Sequence, residues 1–209
     1  MANKGSTILL VFAFVSVITA TIFLYRAIIA PRRNVDLFMK QVSTVEIGKT
    51  KLEDWRRQLA EAQISSLILP CEGQACGVGL QRENRLLRKL RLAPPTTIDA
   101  SVGFKNGVAN GIYILFAIAG KNSQGELFTD KGVVVSLRDD RPEACHSDYK
   151  LAVKERNGVG DRFWATVSMD SCISSVNREK ALAINTACLT KIGGCTTVED
   201  IIPEVFGRR

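Results

Sequence analysis

Ile98-Asp99-Ala100-Ser101-Val102-Gly103-Phe104, the turn Lys105-Asn106-Gly107 and the apolar run Ile112-Tyr113-Ile114-Leu115-Phe116-Ala117-Ile118-Ala119 decide the architecture of this 209-residue chain. In the first segment apolar residues alternate with polar or small ones, the period of a half-buried strand. Asn-Gly supplies the positive φ angles of a tight hairpin turn. Eight apolar residues are too few to cross a bilayer as a helix, so the run after the turn reads as the most buried strand. Working outward, Leu127-Phe128-Thr129 and Val133 to Leu137 continue the sheet after Gly-containing turns. Tyr149, Leu151 and Val153 alternate, as do Phe163, Ala165, Val167 and Met169, and Arg156-Asn157-Gly158-Val159-Gly160 between them reads as a hairpin loop. Matching apolar faces pairs Val153 with Phe163, Leu151 with Ala165 and Tyr149 with Val167, which sets Cys145 opposite Ser171, one residue short of Cys172.

Helices flank this sheet. Leu52, Trp55 and Leu59 recur at three- and four-residue steps, an amphipathic helix with its apolar side to the core. Thr50 and Glu53 have the spacing of a capping box at its start. Gly48-Lys49-Thr50 is not a nucleotide loop, because that loop needs a glycine at position 43, which is Ser. Arg82, Arg85, Arg88, Lys89 and Arg91 are interleaved with Leu86, Leu87, Leu90 and Leu92, and Ala93-Pro94-Pro95 ends the element. As a structural feature this is a solvated basic face with leucines inward. As a functional one it docks anionic lipid headgroups or an acidic partner. Val176 to Asn185 reads as a helix, and Thr196-Thr197 opens a short one through Ile202 that Pro203 stops. The fold class is α+β: an N-terminal transmembrane helix, then an antiparallel meander of about five or six strands packed with flanking helices.

Thr7 to Tyr25 holds 19 residues without a charge, about 28 Å of helix at about 1.5 Å per residue, close to a hydrocarbon core of about 30 Å. A cleaved signal has a shorter apolar region and an A-x-A site, whereas here Ile28-Ile29-Ala30 runs into Pro31. The expected organisation is an uncleaved anchor at 1–33 and an extracytoplasmic domain at 34–209, with the bilayer contacted through 7–25. Composition (46% hydrophobic, 23% charged, 7% aromatic) excludes collagen-like and wholly disordered classes. Net charge is +7, but Lys4, Arg26, Arg32 and Arg33 all precede residue 34 and no acid does. The small remaining excess argues against nucleic acid as a partner.

Flanking charge and cysteine usage disagree about orientation. Arg26, Arg32, Arg33 and Lys40 follow the apolar segment and favour a cytoplasmic domain by the positive-inside rule. Cys71, Cys76, Cys145, Cys172, Cys188 and Cys195 favour disulfides and an oxidising compartment. Their C-x4-C and C-x6-C spacings and the single His146 do not suit zinc, and no C-x-x-C redox pair occurs. The cysteines decide the placement outside the inner membrane. Expected bridges are Cys71–Cys76, Cys145–Cys172 and Cys188–Cys195, the second contributing most, roughly 3 kcal/mol. The competing pattern links Cys145 or Cys172 to the Cys188–Cys195 segment.

No catalytic, cofactor-binding or metal-binding residue is assigned. His146 is the one candidate base, but adjacent strand residues face opposite ways, which separates it from Cys145. Asp130, Asp139 and Asp140 lack calcium-loop spacing, Asp161 and Asp170 read as hairpin and strand-end residues, and Trp55 and Trp164 read as packing residues. Two function classes follow. One is a non-enzymatic binding or structural module of the cell envelope, with an envelope protein as partner. The other is an extracytoplasmic hydrolase using His146.

Overall fold

A computed structural model of the chain describes residues 4–72, 75–121, 127–138, 147–156 and 162–206. Its first element is one long helix: α1 (Lys4–Leu24), a π-helical turn (Tyr25–Ile29) and α2 (Ala30–Thr44) follow one another directly. From Thr7 to Leu24 the helix carries no charge, and it is long and apolar enough to cross a membrane. Within it the Thr19 and Thr21 hydroxyls donate to the carbonyls of Val15 and Val17, each at 2.8 Å, so neither is left without a partner. The π turn has a local cause. Pro31 lacks an N–H, and in a regular helix its ring meets the carbonyl four residues back. The Ala30 N–H donates instead to Tyr25, five residues back, and the widened turn lets the helix pass the proline unbroken.

Beyond the proline the helix becomes one-sided. Val35, Phe38, Met39 and Val42 are buried, the spacing of a single helical face. They pack onto α3 (Leu52–Glu61), whose Trp55 and Leu59 are buried as the sequence predicts. The rings of Phe38 and Trp55 meet edge to face, with centroids 6.2 Å apart and planes at 71°.

The expected capping box at Thr50 and Glu53 does not form. Lys51 is the N-cap and no side chain caps the helix. The Thr50 hydroxyl instead accepts from the Glu46 N–H, at 2.9 Å. The backbone of 48–52 is meanwhile drawn onto the Asn106-Gly107 hairpin: Gly48 donates to Ala109, Ala109 to Thr50, and Leu52 to Gly107. Long-range pairing has displaced the local cap. Both Asn106 (φ 53) and Gly107 (φ 75) are left-handed, as the tight turn requires.

The strands β1 (Leu67–Glu72), β2 (Ala75–Glu83), β3 (Thr96–Lys105), β4 (Val108–Lys121), β5 (Leu127–Arg138), β6 (Lys150–Arg156) and β7 (Arg162–Asp170) form one open sheet in the order β1-β2-β3-β4-β5-β7-β6. Seven strands therefore replace the five or six expected. The added ones are the hairpin of β1 and β2, whose strands carry the Cys71–Cys76 segment read as a loop. Arg82, expected on a helix, ends up on β2, and the basic helix shrinks to α4 (Arg85–Lys89). Of its leucines only Leu87 is buried, while Leu90 is 56% and Leu92 42% exposed.

The sheet is mixed, not a pure meander. β5, one continuous strand where two were expected, pairs parallel to β7, with Val133 opposite Ala165 and Val135 opposite Val167. β6 lies outside β7 as an edge strand. The alternation explains the exchange: Ala165, Val167 and Met169 of β7 are buried, whereas β6 carries Lys150, Lys154, Glu155 and Arg156, which suit an edge. The β6–β7 register also differs from the expected one by two residues, pairing Leu151 with Val167 and Val153 with Ala165. A shift of two leaves every side chain on its own face, so face matching had no means of choosing between the two registers.

One face of the sheet carries the core: Ile98, Ala100, Val102 and Phe104 on β3, Ile112, Ile114, Phe116 and Ile118 on β4, and Val133, Val135 and Leu137 on β5. Residues of α2, α3, α5 (Ser175–Leu182), the 3-10 turn Thr186–Leu189 and α6 (Val198–Ile201) join the same cluster. The opposite face is half-open, and on it Tyr113 of β4 is 42% exposed, although Ile112, Ile114, Phe116, Ala117 and Ile118 of the same apolar run are buried as expected. A capping box does form at α6, where Thr197 and Asp200 exchange hydrogen bonds with each other's backbone. Pro203 ends α6 as expected and begins a last turn, α7 (Pro203–Phe206).

Candidate functional site

A groove of about 610 Å³ lies where the long helix leaves its apolar stretch. Phe23, Arg26, Ala27 and Pro31 form one wall. Gln81, Arg82 and Glu83 of β2, with Arg85, Leu86 and Lys89 of α4, form the other. Asn84, between β2 and α4, fixes that second wall. It is 6% exposed, its amide donates to the Pro94 carbonyl at 2.7 Å, and its oxygen accepts from the Thr96 N–H at 2.9 Å. These bonds clamp α4 to the start of β3.

The groove holds an excess of positive charge. Both oxygens of Glu83 are engaged, one by Arg85 at 2.5 Å and the other by Arg88 at 3.1 Å. Among the described residues, Arg26, Arg82 and Lys89 then have no carboxylate within 4.0 Å. Arg82 donates only to neutral carbonyls, those of Gln81 at 2.8 Å and Ser65 at 3.5 Å. Burial, and secondly the neighbouring Arg85, hold its guanidinium below the usual arginine range. Such a site is short of an anion. Sequence reading found Arg82, Arg85 and Lys89 as a run, but Arg26 joins them only through the fold.

A second candidate lies on the open face of the sheet, a hollow of about 410 Å³ lined by Ser101, Asn110, Tyr113, Ser136 and Arg138 among others. Asp99 of β3 belongs to the same face, and burial raises its carboxyl above the ordinary value. Among the described residues no group of three His, Cys, Asp or Glu comes together to hold a metal ion.

Cys188 and Cys195 form a disulfide with Cα atoms 5.1 Å apart, and both are buried. The bridge fastens the 3-10 turn to the segment that opens α6. Gly194 within its loop has φ +70, and its Cα packs so near Pro94 that an added Cβ would come within 3.1 Å of the ring. Cys76 and Cys172 are also disulfide-bonded. The expected partners, the Cys71 side chain and Cys145, lie outside the described residues, as do His146, Asp139, Asp140, Asp161 and the Trp164 side chain. The β6–β7 register lies two residues from the one that set Cys145 opposite Ser171. Trp55 is fully buried in the core. Asp130 is on β5, and Asp170, at the end of β7, accepts from the Cys172 N–H at 2.9 Å. Compared with known protein families, curated proteins and solved structures, the chain matches none.

Proposed function

We propose that the chain is a single-pass membrane protein whose segment 7–25 crosses the bilayer. Its domain then stands outside the cytoplasm as a non-enzymatic binding or structural module of the cell envelope. One observation carries this reading: the apolar helix that fits a bilayer is also a core helix of the domain. Within one unbroken helix Val11 to Leu24 is exposed, and Val35, Phe38 and Val42 are fully buried. A domain seated this way has no flexible tether, so its surfaces are presented at a fixed height and angle to the membrane. Val35, the first buried residue of the helix among those described, supports a division between anchor and domain near residue 34.

The Cys188–Cys195 bridge supports the extracytoplasmic side, because such bonds persist in oxidising compartments. The groove walls offer guanidinium and ammonium groups facing a partner, an arrangement for holding an anion in place. A reporter that works only outside the cytoplasm, fused after Arg209, tests the orientation. Activity supports it; a silent exported reporter beside an active cytosolic one overturns it.

A further inference from the structure

We infer that the groove between the long helix and α4 seats the anionic headgroup of a membrane phospholipid, with Arg26, Arg82 and Lys89 as the cations that meet its phosphate. The inference rests on the reading that 7–25 spans the bilayer, and it names the partner of that same site. Position is the first argument. Phe23 lies within the apolar segment, Arg26 is one turn further, and both line the wall that Arg82 and Lys89 face. A groove bounded by the last turns of a membrane helix opens at the headgroup layer, the depth at which lipid phosphates lie.

Charge is the second argument. Glu83 is neutralised by Arg85 and Arg88, which leaves three cations without a carboxylate among the described residues. A phosphate oxygen fits both an arginine fork and a lysine ammonium. Shape is the third. Phe23 and Leu86 line the groove beside the cations, and Leu90 and Leu92, directly after α4, are 56% and 42% exposed. Apolar groups next to basic ones are the composition of a surface that enters the interface between headgroups and acyl chains. An acidic protein segment would use the charge but would leave the leucines uncovered. Arg26, one of the cations that contradict the positive-inside rule, thereby acquires another role: it holds lipid.

The test uses the full chain in nanodiscs made either of phosphatidylcholine alone or of equal parts phosphatidylcholine and phosphatidylglycerol. After gentle extraction, native mass spectrometry counts the lipids retained on the protein. The wild type should retain phosphatidylglycerol in preference to phosphatidylcholine. The double variant Arg82→Gln, Lys89→Gln should lose that preference by on the order of tenfold. Arg56→Gln with Arg57→Gln, on the exposed side of α3, should leave it unchanged. Equal retention of the two lipids, or a preference that survives the groove variant, overturns the proposal. So does displacement of the retained lipid by millimolar inorganic phosphate, which would reassign the groove to a soluble anion. Resistance to alkaline carbonate extraction is measured in parallel. Its loss in the wild type refutes the membrane-spanning reading itself, whereas its retention without lipid preference refutes the groove alone.

Discussion

Phe38→Ala tests whether the long helix is built into the domain. The Phe38 ring is fully buried, and it meets Trp55 edge to face at 6.2 Å. Truncating a buried phenylalanine costs about 3–5 kcal/mol through lost transfer energy and the cavity left behind. Loss of the aromatic pair accounts for about 1 kcal/mol within that range. Taking about 4 kcal/mol against a total of about 5–15 kcal/mol, the substitution removes a quarter to most of the stability. With a urea dependence near 2 kcal/mol per molar, the midpoint falls by about 2 M. The assay is urea unfolding of the full chain in mild detergent, followed by circular dichroism and tryptophan fluorescence. Phe12→Ala, at a position 69% exposed in the apolar stretch, is the control and should leave the midpoint unchanged. A shift for Phe38→Ala below about 0.5 M would refute the reasoning. It would mean that residues 35–42 are a stalk beside the domain and not part of its core.

Leu59→Asp puts a carboxylate at a position 2% exposed on α3 and should cost at least about 3 kcal/mol in the same unfolding assay; unchanged unfolding would mean the wrong face of α3 has been buried. Asp200→Asn tests the α6 cap. The Thr196 N–H, then that of Thr197, hold the Asp200 carboxyl below its ordinary value despite an opposing effect of burial. Its folded value is thus depressed, so its contribution is present above the unfolded value near about 4 and is lost as pH falls through the folded value. The variant should melt below wild type at neutral pH and converge with it in acid; a gap constant across pH would contradict this. Replacing Cys188 and Cys195 together by Ser should cost about 2.5 kcal/mol, the entropy of a closed loop this short, and equal urea midpoints would show that the bridge contributes nothing.

How much was legible in the sequence follows from which features are local. The alternation over Ile98 to Phe104 and the Asn106-Gly107 turn are local, and both formed as read. So did the buried side of α3, and Cys188–Cys195 needed only a short Gly-containing loop. Pairing partners are not local. Nothing in β5 or β7 marks them as parallel neighbours, and a two-residue register shift is invisible to a pattern of period two. Thr50 failed as a cap because its surroundings are set by a hairpin more than fifty residues away. The groove was half legible for the same reason. A run of arginines is visible in any sequence, but that Arg26 lines one groove with Arg82 depends on the helix that continues through the π turn past Pro31.

The placement of the domain is tested most directly by a non-reduced peptide map of the full chain taken from native membranes, with free thiols alkylated before lysis. Trypsin cuts after Lys180, Lys191 and Arg208, which separates Cys188 and Cys195 into fragments 181–191 and 192–208. An extracytoplasmic domain predicts that these two fragments travel as one species until reductant is added. Both cysteines alkylated without reductant would put the domain in a reducing compartment and contradict the account.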